Sequence, residues 1–111
     1  MRATGLSPSH LMRPPYGAID DRVRRVVHEL GLVPVLWDVD PRDWAGGTAA
    51  AIARRVLDAL RPHRRNIVLQ HDGVANSPAS IAAVQRIVRV ARSRGYCFVG
   101  LDALGQPAPP A

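Results

Sequence analysis

Three short polar clusters in the sequence contain residue types that suit acid–base chemistry. They occupy residues 13–17 (Arg-Pro-Pro-Tyr-Gly), 40–44 (Asp-Pro-Arg-Asp-Trp) and 69–72 (Leu-Gln-His-Asp). A histidine that is hydrogen-bonded to a carboxylate holds its proton more firmly, and it can then act as a general acid near neutral pH. A leaving amine needs such an acid. His71 is therefore the candidate general acid, and Asp43 is a carboxylate that could meet it in one cleft.

The other residues of these clusters suit supporting roles. An arginine keeps a neighbouring carboxylate ionised and aimed, which makes Arg13 the candidate for that task. Consecutive prolines stiffen the backbone before Tyr16, whose amide could then face a developing oxyanion without reorganisation. Trp44 offers a flat apolar wall to a sugar ring. Taken singly, the clusters also fit a surface arginine, a loop before a helix, and a turn followed by a helix cap.

Apolar spacing and capping residues predict the first helix over residues 19–30. Asp20 or Asp21 lies at its positive end, and Gly31 is a natural left-handed stop. His28 is expected on its surface. The apolar residues of this helix are spaced to form one continuous stripe: Ile19, Val23, Val26, Val27 and Leu30.

Two further helices are predicted by the same signals. Thr48 is the expected N-cap of the second helix, and Pro62 ends it, so that His63 lies in an exposed basic connector. Its buried face is expected to consist of Ala49, Ile52, Ala53, Val56 and Leu60. Ser77-Pro78 is a strong start for the third helix, with the serine as cap, and the helix reaches about Arg94. Its buried face is expected to consist of Ile81, Val84, Val88 and Ala91.

Apolar runs between these helices predict strands at residues 32–37, 66–70 and 96–101, after a short apolar step at residues 11–12. Pro34 is expected at the beginning of its strand or at a bulge, because proline cannot donate into a central ladder. Cys97 is expected to be buried in the last strand. The order is β-α-β-α-β-α-β with parallel strands, whose carboxyl ends would gather the three polar clusters on one rim. Such an open layer leaves a strand edge unpaired.

The composition fits one small globular domain of 111 residues with a net charge of +6. All fifteen basic residues are arginines, so a basic nucleic-acid-binding module is an alternative, although no binding motif is present. Residues 1–5 contain no apolar signal-peptide region, and no apolar run approaches the ~20 residues of a membrane span. The sequence therefore predicts neither nucleic acid nor membrane as a partner, and it assigns no compartment.

The three clusters together resemble the third, fourth and fifth motifs of the polysaccharide deacetylases, which are carbohydrate esterase family four or the NodB-homology domain. Their order and spacing fit, and the resemblance extends to about Leu101. It implies an α/β fold, namely a partial (β/α) barrel that lacks the N-terminal strands. Residues 1–104 would form the C-terminal portion of such a domain, and residues 105–111 a disordered tail rich in proline and alanine.

The resemblance also implies an activity, which is the hydrolysis of acetamido carbon–nitrogen bonds on N-acetylated polysaccharides or oligosaccharides. By this resemblance His71 is the general acid and Asp43 tunes it. Arg13 orients the base, and the Tyr16 amide helps to hold the oxyanion. The residues that line the substrate pocket would be Trp44, Leu69 and Pro15.

Two family motifs are absent from the sequence. The family's Thr-Phe-Asp-Asp-Gly supplies the base and one metal ligand, and its His-x-x-x-His supplies the other two ligands. The four histidines do not have that spacing, and Asp20-Asp21 continues into Arg22. No metal site is therefore expected in this chain, although a complete domain would hold a divalent metal such as zinc.

The missing motifs predict a truncated deacetylase that is inactive alone, with a missing N-terminal half as a further partner. A non-catalytic carbohydrate-binding remnant is the alternative from the binding class. A complete family member would be compatible with export or a cell-envelope location.

Overall fold

A computed structural model describes Gly5 and residues 7–108. The chain forms two compact units, and each is described by itself. Of these residues, the first unit contains Gly5, residues 7–36 and Gly100–Ala108, and the second contains Trp37–Val99. Within the described part of the chain, no helix has the length and apolar character needed to cross a membrane.

The first unit contains a two-stranded parallel sheet. Strand β1 (Leu11–Met12) pairs with strand β2 (Val33–Pro34), with Leu11 opposite Val33. The Val33 N–H donates to the His10 carbonyl, and the Val35 N–H donates to the Met12 carbonyl. The backbone nitrogen of Pro34, which lies between these two donors, therefore points away from β1. This alternation explains why Pro34 is accepted inside β2 rather than at a bulge.

Helix α1 (Asp21–Glu29) connects the two strands of this sheet. Asp20 is the N-cap, and its side chain accepts a hydrogen bond of 2.8 Å from the Val23 N–H. Gly31 follows the helix with a φ of 72°. Both capping predictions are confirmed. The apolar stripe forms but is mostly uncovered, because Val27 is buried whereas Val23, Val26 and Leu30 are exposed.

The end of the described chain folds back in the first unit. Leu101 pairs with Pro107 in an antiparallel bridge, and the Ala108 N–H donates to the Gly100 carbonyl. Gly105, at the turn, is buried. Residues 105–108 thus have a defined structure where a disordered tail was expected, and residues 109–111 lie outside the described residues.

The second unit is built around the contact between helix α2 (Ala49–Ala59) and helix α3 (Ser77–Ser93). Thr48 caps α2 by accepting from the Ala51 N–H at 3.1 Å, as predicted. The predicted face of α2 is also correct, since its central residues are fully buried and its two end residues are partly buried. The core of the unit consists of Val39, Ile52, Ala53, Val56, Ala83 and Ile87.

The predicted buried face of α3 is wrong. Ile81 is 57% exposed and Val84 is 42% exposed, and Ala91 is the only fully buried residue of the predicted set. The buried face of α3 instead presents Ser80, Ala83, Ile87 and Ala91, and Ala83 and Ile87 belong to the core that includes α2 residues. Small side chains allow two helices to approach closely, so contact with α2 decided the orientation. The predicted cap is also wrong, because Asn76 is the N-cap and Ser77 is the first helical residue.

The strands predicted in the second unit are reduced to one contact. A single parallel bridge joins Val39 to Val68, flanked by a hydrogen bond from the Leu69 N–H to the Val39 carbonyl. Residues 96–100 form no strand, and Cys97 is exposed, so both predictions are wrong. An apolar run becomes a strand only where a partner offers hydrogen bonds. The α/β class and parallel pairing are observed, whereas the fourth strand is not.

Candidate active site

Asp43 is the centre of the candidate site in the second unit. It begins a 3₁₀ turn, Asp43–Ala45, directly after Arg42, whose φ of 53° lies in the left-handed region. This kinked entry carries the Asp43 side chain inward, where it is 0% exposed. A buried carboxylate needs several hydrogen-bond donors to offset its lost hydration.

Three donors meet the two oxygen atoms of the Asp43 carboxylate. Oδ1 lies 2.9 Å from Nδ1 of the His71 ring. Oδ2 accepts from the His71 backbone N–H at 2.6 Å and from the Ser80 hydroxyl at 2.5 Å. Because an ionised carboxylate only accepts, Nδ1 of His71 carries the proton in this contact. The other ring nitrogen, Nε2, is therefore the one available to a bound molecule.

These contacts favour the ionised form of Asp43. Burial acts to raise the pKa of this carboxyl. Hydrogen bonds from Ser80 and from the backbone and ring of His71, together with the charge of a protonated His71, outweigh that effect, so the pKa lies below its ordinary value of 3.8. Asp43 is therefore charged at neutral pH, as a partner for a protonated ring must be.

Polar residues that the sequence reasoning missed support this pair. Gln70 donates from Nε2 to the Ser80 hydroxyl at 3.1 Å and to the Ser80 carbonyl at 2.9 Å. Asn76 donates to the backbone carbonyls of Asp43 and Gly47. The sequence contains no usable signal for Ser80, because the face that it shares with Ala83 and Ile87 was not the face predicted to be buried. A polar residue on a buried face needs a partner.

The predicted substrate-binding residues of the second unit differ in accessibility. Leu69 is buried, and it ends the extended segment that carries His71. Trp44 is 49% exposed, and the guanidinium of Arg42 lies 5.2 Å from the centre of its ring. Part of the Trp44 surface thus faces solvent, as a wall for a sugar requires. His28 and His63 are exposed, as predicted.

The remaining predicted residues belong to the first unit. Arg13 directly follows β1, and Pro15 begins a 3₁₀ turn, Pro15–Gly17. Tyr16 in this turn has a φ of 59°, and its side chain is 99% exposed. The structure thus brings His71 and Asp43 into contact within one unit. A common cleft of this pair with Arg13 and Tyr16 stays a prediction.

The described residues do not fit a divalent-metal site. No three side chains of the ligand types His, Cys, Asp and Glu lie together in Gly5 and residues 7–108. A catalytic zinc ion needs three protein ligands. These residues alone therefore cannot provide the ligand set for such an ion.

Known proteins resemble this chain in sequence and structure, although no family model matches it. A chitin deacetylase of Amylomyces rouxii is 38% identical over 106 residues, covering 80% of this chain and 25% of that protein. A peptidoglycan-N-acetylglucosamine deacetylase of Bacillus cereus is 36% identical over 96 residues, covering 85% and 44%. The solved family 4 carbohydrate esterase from Streptomyces lividans, in complex with acetate, has a TM-score of 0.79 and 31% identity over 99% of this chain and 55% of its own.

The chain spans only a quarter to less than half of these two curated relatives. The sequence and the fold nevertheless agree, because the curated relatives are deacetylases and the solved structure is a family 4 esterase. In sequence and in fold, this chain is therefore similar to the C-terminal part of polysaccharide deacetylases, the family 4 carbohydrate esterases.

Proposed function

We propose that this chain supplies the general-acid part of a deacetylase site, which hydrolyses acetamido groups on N-acetylated polysaccharides or oligosaccharides. The observation that supports the proposal is the 2.9 Å contact between Nδ1 of His71 and Oδ1 of Asp43. It fixes one ring nitrogen on the carboxylate and leaves Nε2 for the substrate. The His71 side chain is 35% exposed, so a substrate can reach it.

The proposed step is proton transfer to the leaving amine. When the tetrahedral adduct of water and the acetamido group collapses, the carbon–nitrogen bond breaks and its electron pair goes to nitrogen. The Nε2–H of protonated His71 gives its proton to that nitrogen, and acetate and the free amine result. Asp43 stays ionised and holds the ring through Nδ1. It stabilises the charged ring before transfer without taking the proton itself.

The remaining family residues have proposed roles around this step. Arg13 orients the catalytic base, and the Tyr16 amide faces the oxyanion. Trp44, Leu69 and Pro15 line the sugar and acetyl pocket. The base and the metal ligands of the family's first two motifs are absent from the sequence. We therefore propose that these 111 residues alone release no acetate.

Acetate release from chitooligosaccharide tests both parts of this proposal. The isolated chain is expected to release none with zinc or cobalt. A chimera in which this chain replaces the matching part of the Streptomyces lividans esterase is expected to be active. His71→Ala should lower its kcat by about 10²- to 10⁴-fold, whereas His28→Ala, at an exposed position of α1, should not. Full activity of the His71→Ala chimera, or turnover by the isolated chain, would contradict the proposal.

Carbohydrate binding without catalysis is a second candidate, which the exposed ring of Trp44 favours. It predicts saturable binding of chitooligosaccharide to the isolated chain, unaffected by a chelator and lost in Trp44→Ala. Phe98→Ala is the matched control, because Phe98 is similarly exposed in the same unit. An inactive chimera combined with such binding would favour this candidate over deacetylation.

A further inference from the structure

Ser80 is an unusual residue for its position on α3. It is 1% exposed, and it shares the buried face of α3 with Ala83 and Ile87, which belong to the core that also contains residues of α2. Alanine would satisfy the packing at such a position and would have the better helix propensity. A buried hydroxyl is costly unless it is hydrogen-bonded. The hydroxyl of Ser80 therefore calls for an explanation beyond packing.

The directions of the hydrogen bonds around Ser80 are determined by chemistry. The Asp43 carboxylate can only accept, so the Ser80 hydroxyl donates its proton to Oδ2. The lone pair of the same hydroxyl then accepts from Nε2 of Gln70. The amide orientation of Gln70 is fixed in turn, because Nε2 also donates to the Ser80 carbonyl. A directed chain thus runs from Gln70 through Ser80 to Asp43.

We propose that Ser80 is a positioning residue that holds the Asp43 carboxylate in one rotation, with Oδ1 facing Nδ1 of His71 and Nε2 turned to the substrate. Its hydroxyl and the His71 backbone N–H together anchor Oδ2. Rotation of the carboxylate would break both bonds. The meaning of this arrangement for catalysis rests on the proposed function, whereas the arrangement itself can be measured in the isolated chain.

Nuclear magnetic resonance of the isolated chain tests the positioning directly. Ser80→Ala is expected to raise the pKa of Asp43, measured by its side-chain carbon signal. It is also expected to increase the fraction of neutral His71 with its proton on Nε2, measured by ring nitrogen signals. Ser77→Ala is the matched control, since Ser77 is a buried serine of the same helix that bonds to the Val74 backbone instead. Ser80→Thr keeps a hydroxyl and should restore both signals.

A second variant keeps the proposal falsifiable if Ser80→Ala fails to fold. Gln70→Leu removes the donor to Ser80 and should move both signals in the same direction by a smaller amount. The proposal is overturned if a folded Ser80→Ala or Gln70→Leu variant keeps the wild-type signals. It is also overturned if Ser77→Ala changes these signals by the same amount. Changes confined to Gln70→Leu and Ser80→Ala, with rescue by Ser80→Thr, support it.

Kinetics of the chimera separate this inference from the proposed function. In an active chimera, Ser80→Ala should lower kcat by about tenfold and leave KM unchanged, because Ser80 does not touch the substrate. A lower kcat with unchanged KM supports positioning, and an unchanged kcat overturns it. An inactive wild-type chimera contradicts the proposed function but not the positioning role of Ser80. In that case the magnetic resonance signals of the isolated chain decide the role of Ser80.

Discussion

Replacing Asp43 by asparagine is the sharpest perturbation of the candidate site, because it removes the charge while it nearly preserves the shape. The amide oxygen can take the place of Oδ2 and accept from Ser80 and from the His71 backbone N–H. The amide NH₂ must then face Nδ1 of His71, which can accept only if its proton moves to Nε2. Asp43→Asn should therefore reverse the tautomer of neutral His71.

The energetic cost of this replacement follows from the same contacts. The two hydrogen bonds to Oδ2 change from charge-assisted to neutral, which loses about 1 kcal/mol each. The third bond, to the His71 ring, forms again with the amide as donor and Nδ1 as acceptor. The expected loss is about 2 kcal/mol of the free energy of unfolding, out of the ~5–15 kcal/mol typical of a domain. Asp43→Asn should thus fold while its ring nitrogen signals change.

Denaturant unfolding followed by circular dichroism measures the energy, and nitrogen-labelled histidine reports the tautomer. Asp58→Asn is the matched control, since Asp58 is exposed on α2 and its replacement should change the free energy by less than about 0.5 kcal/mol. The reasoning would be refuted if both variants had the same stability and Asp43→Asn kept the proton on Nδ1.

Three further predictions address the pH dependence and the cores of the two units. Because the pKa of Asp43 is lowered on folding, its contribution to the free energy of unfolding should be present above pH 3.8 and lost as the pH falls through the folded pKa. The free energy of unfolding of Asp43→Asn, measured over the same acid pH range, should not show this loss. Ile52→Ala, at a fully buried core position, should cost about 3 kcal/mol in denaturant unfolding, whereas Ile81→Ala, at 57% exposure, should cost under about 1 kcal/mol; equal costs would contradict the assigned face of α3. Gly105→Ala should destabilise the first unit by about 1–3 kcal/mol, because its Cβ would lie 2.6 Å from Cγ2 of Val35 at a φ of +75°, whereas Gly100→Ala meets no atom within 4 Å and should be tolerated in thermal unfolding.

Local signals predicted most of the helix boundaries correctly. Asp20, Thr48 and Gly31 act through hydrogen bonds and dihedral angles within one turn of the chain, so the sequence contains the complete information for them. The face of α2 was predictable for a related reason, because its apolar residues form one stripe. These features depend on near neighbours alone.

Features that depend on distant partners were predicted less well. On α3, the large apolar residues Ile81 and Val84 favoured one face, but contact with α2 buried the face with small residues. The run at residues 96–99 is apolar enough for a strand, yet the neighbouring Leu101 pairs only with Pro107 among the described residues. Strand formation and the burial of Cys97 required a pairing partner that periodicity cannot identify.

The residues of the candidate site show the same difference between local signals and features that depend on distant partners. His71 and Asp43, which lie 28 positions apart, were predicted to act together, and the structure joins them through two hydrogen bonds. Ser80 and Gln70 were missed, because a serine in a helix and a glutamine after a strand have no distinguishing local pattern. Their function as hydrogen-bond partners appears only once α3 lies against the turn that carries Asp43.

The proposed assignment of the general-acid step to this chain follows from the hydrogen bonds around His71, which are complete in the structure. Among the described residues, the hydrogen bonds of Asp43 to His71 and Ser80 all lie within the second unit, and the Asp43 carboxylate is fully buried. Apolar residues on α1 and α3, by contrast, remain exposed in their own units, and the relatives continue well beyond the matched part. A general acid needs one oriented ring, which a single α-helical pair and a turn can provide. Activation of water needs a base and a Lewis acid held together, and the sequence lacks the motifs that supply them in this family. Under the proposed function, the acid is therefore preformed in this chain, and we propose that the base and the Lewis acid come from outside it.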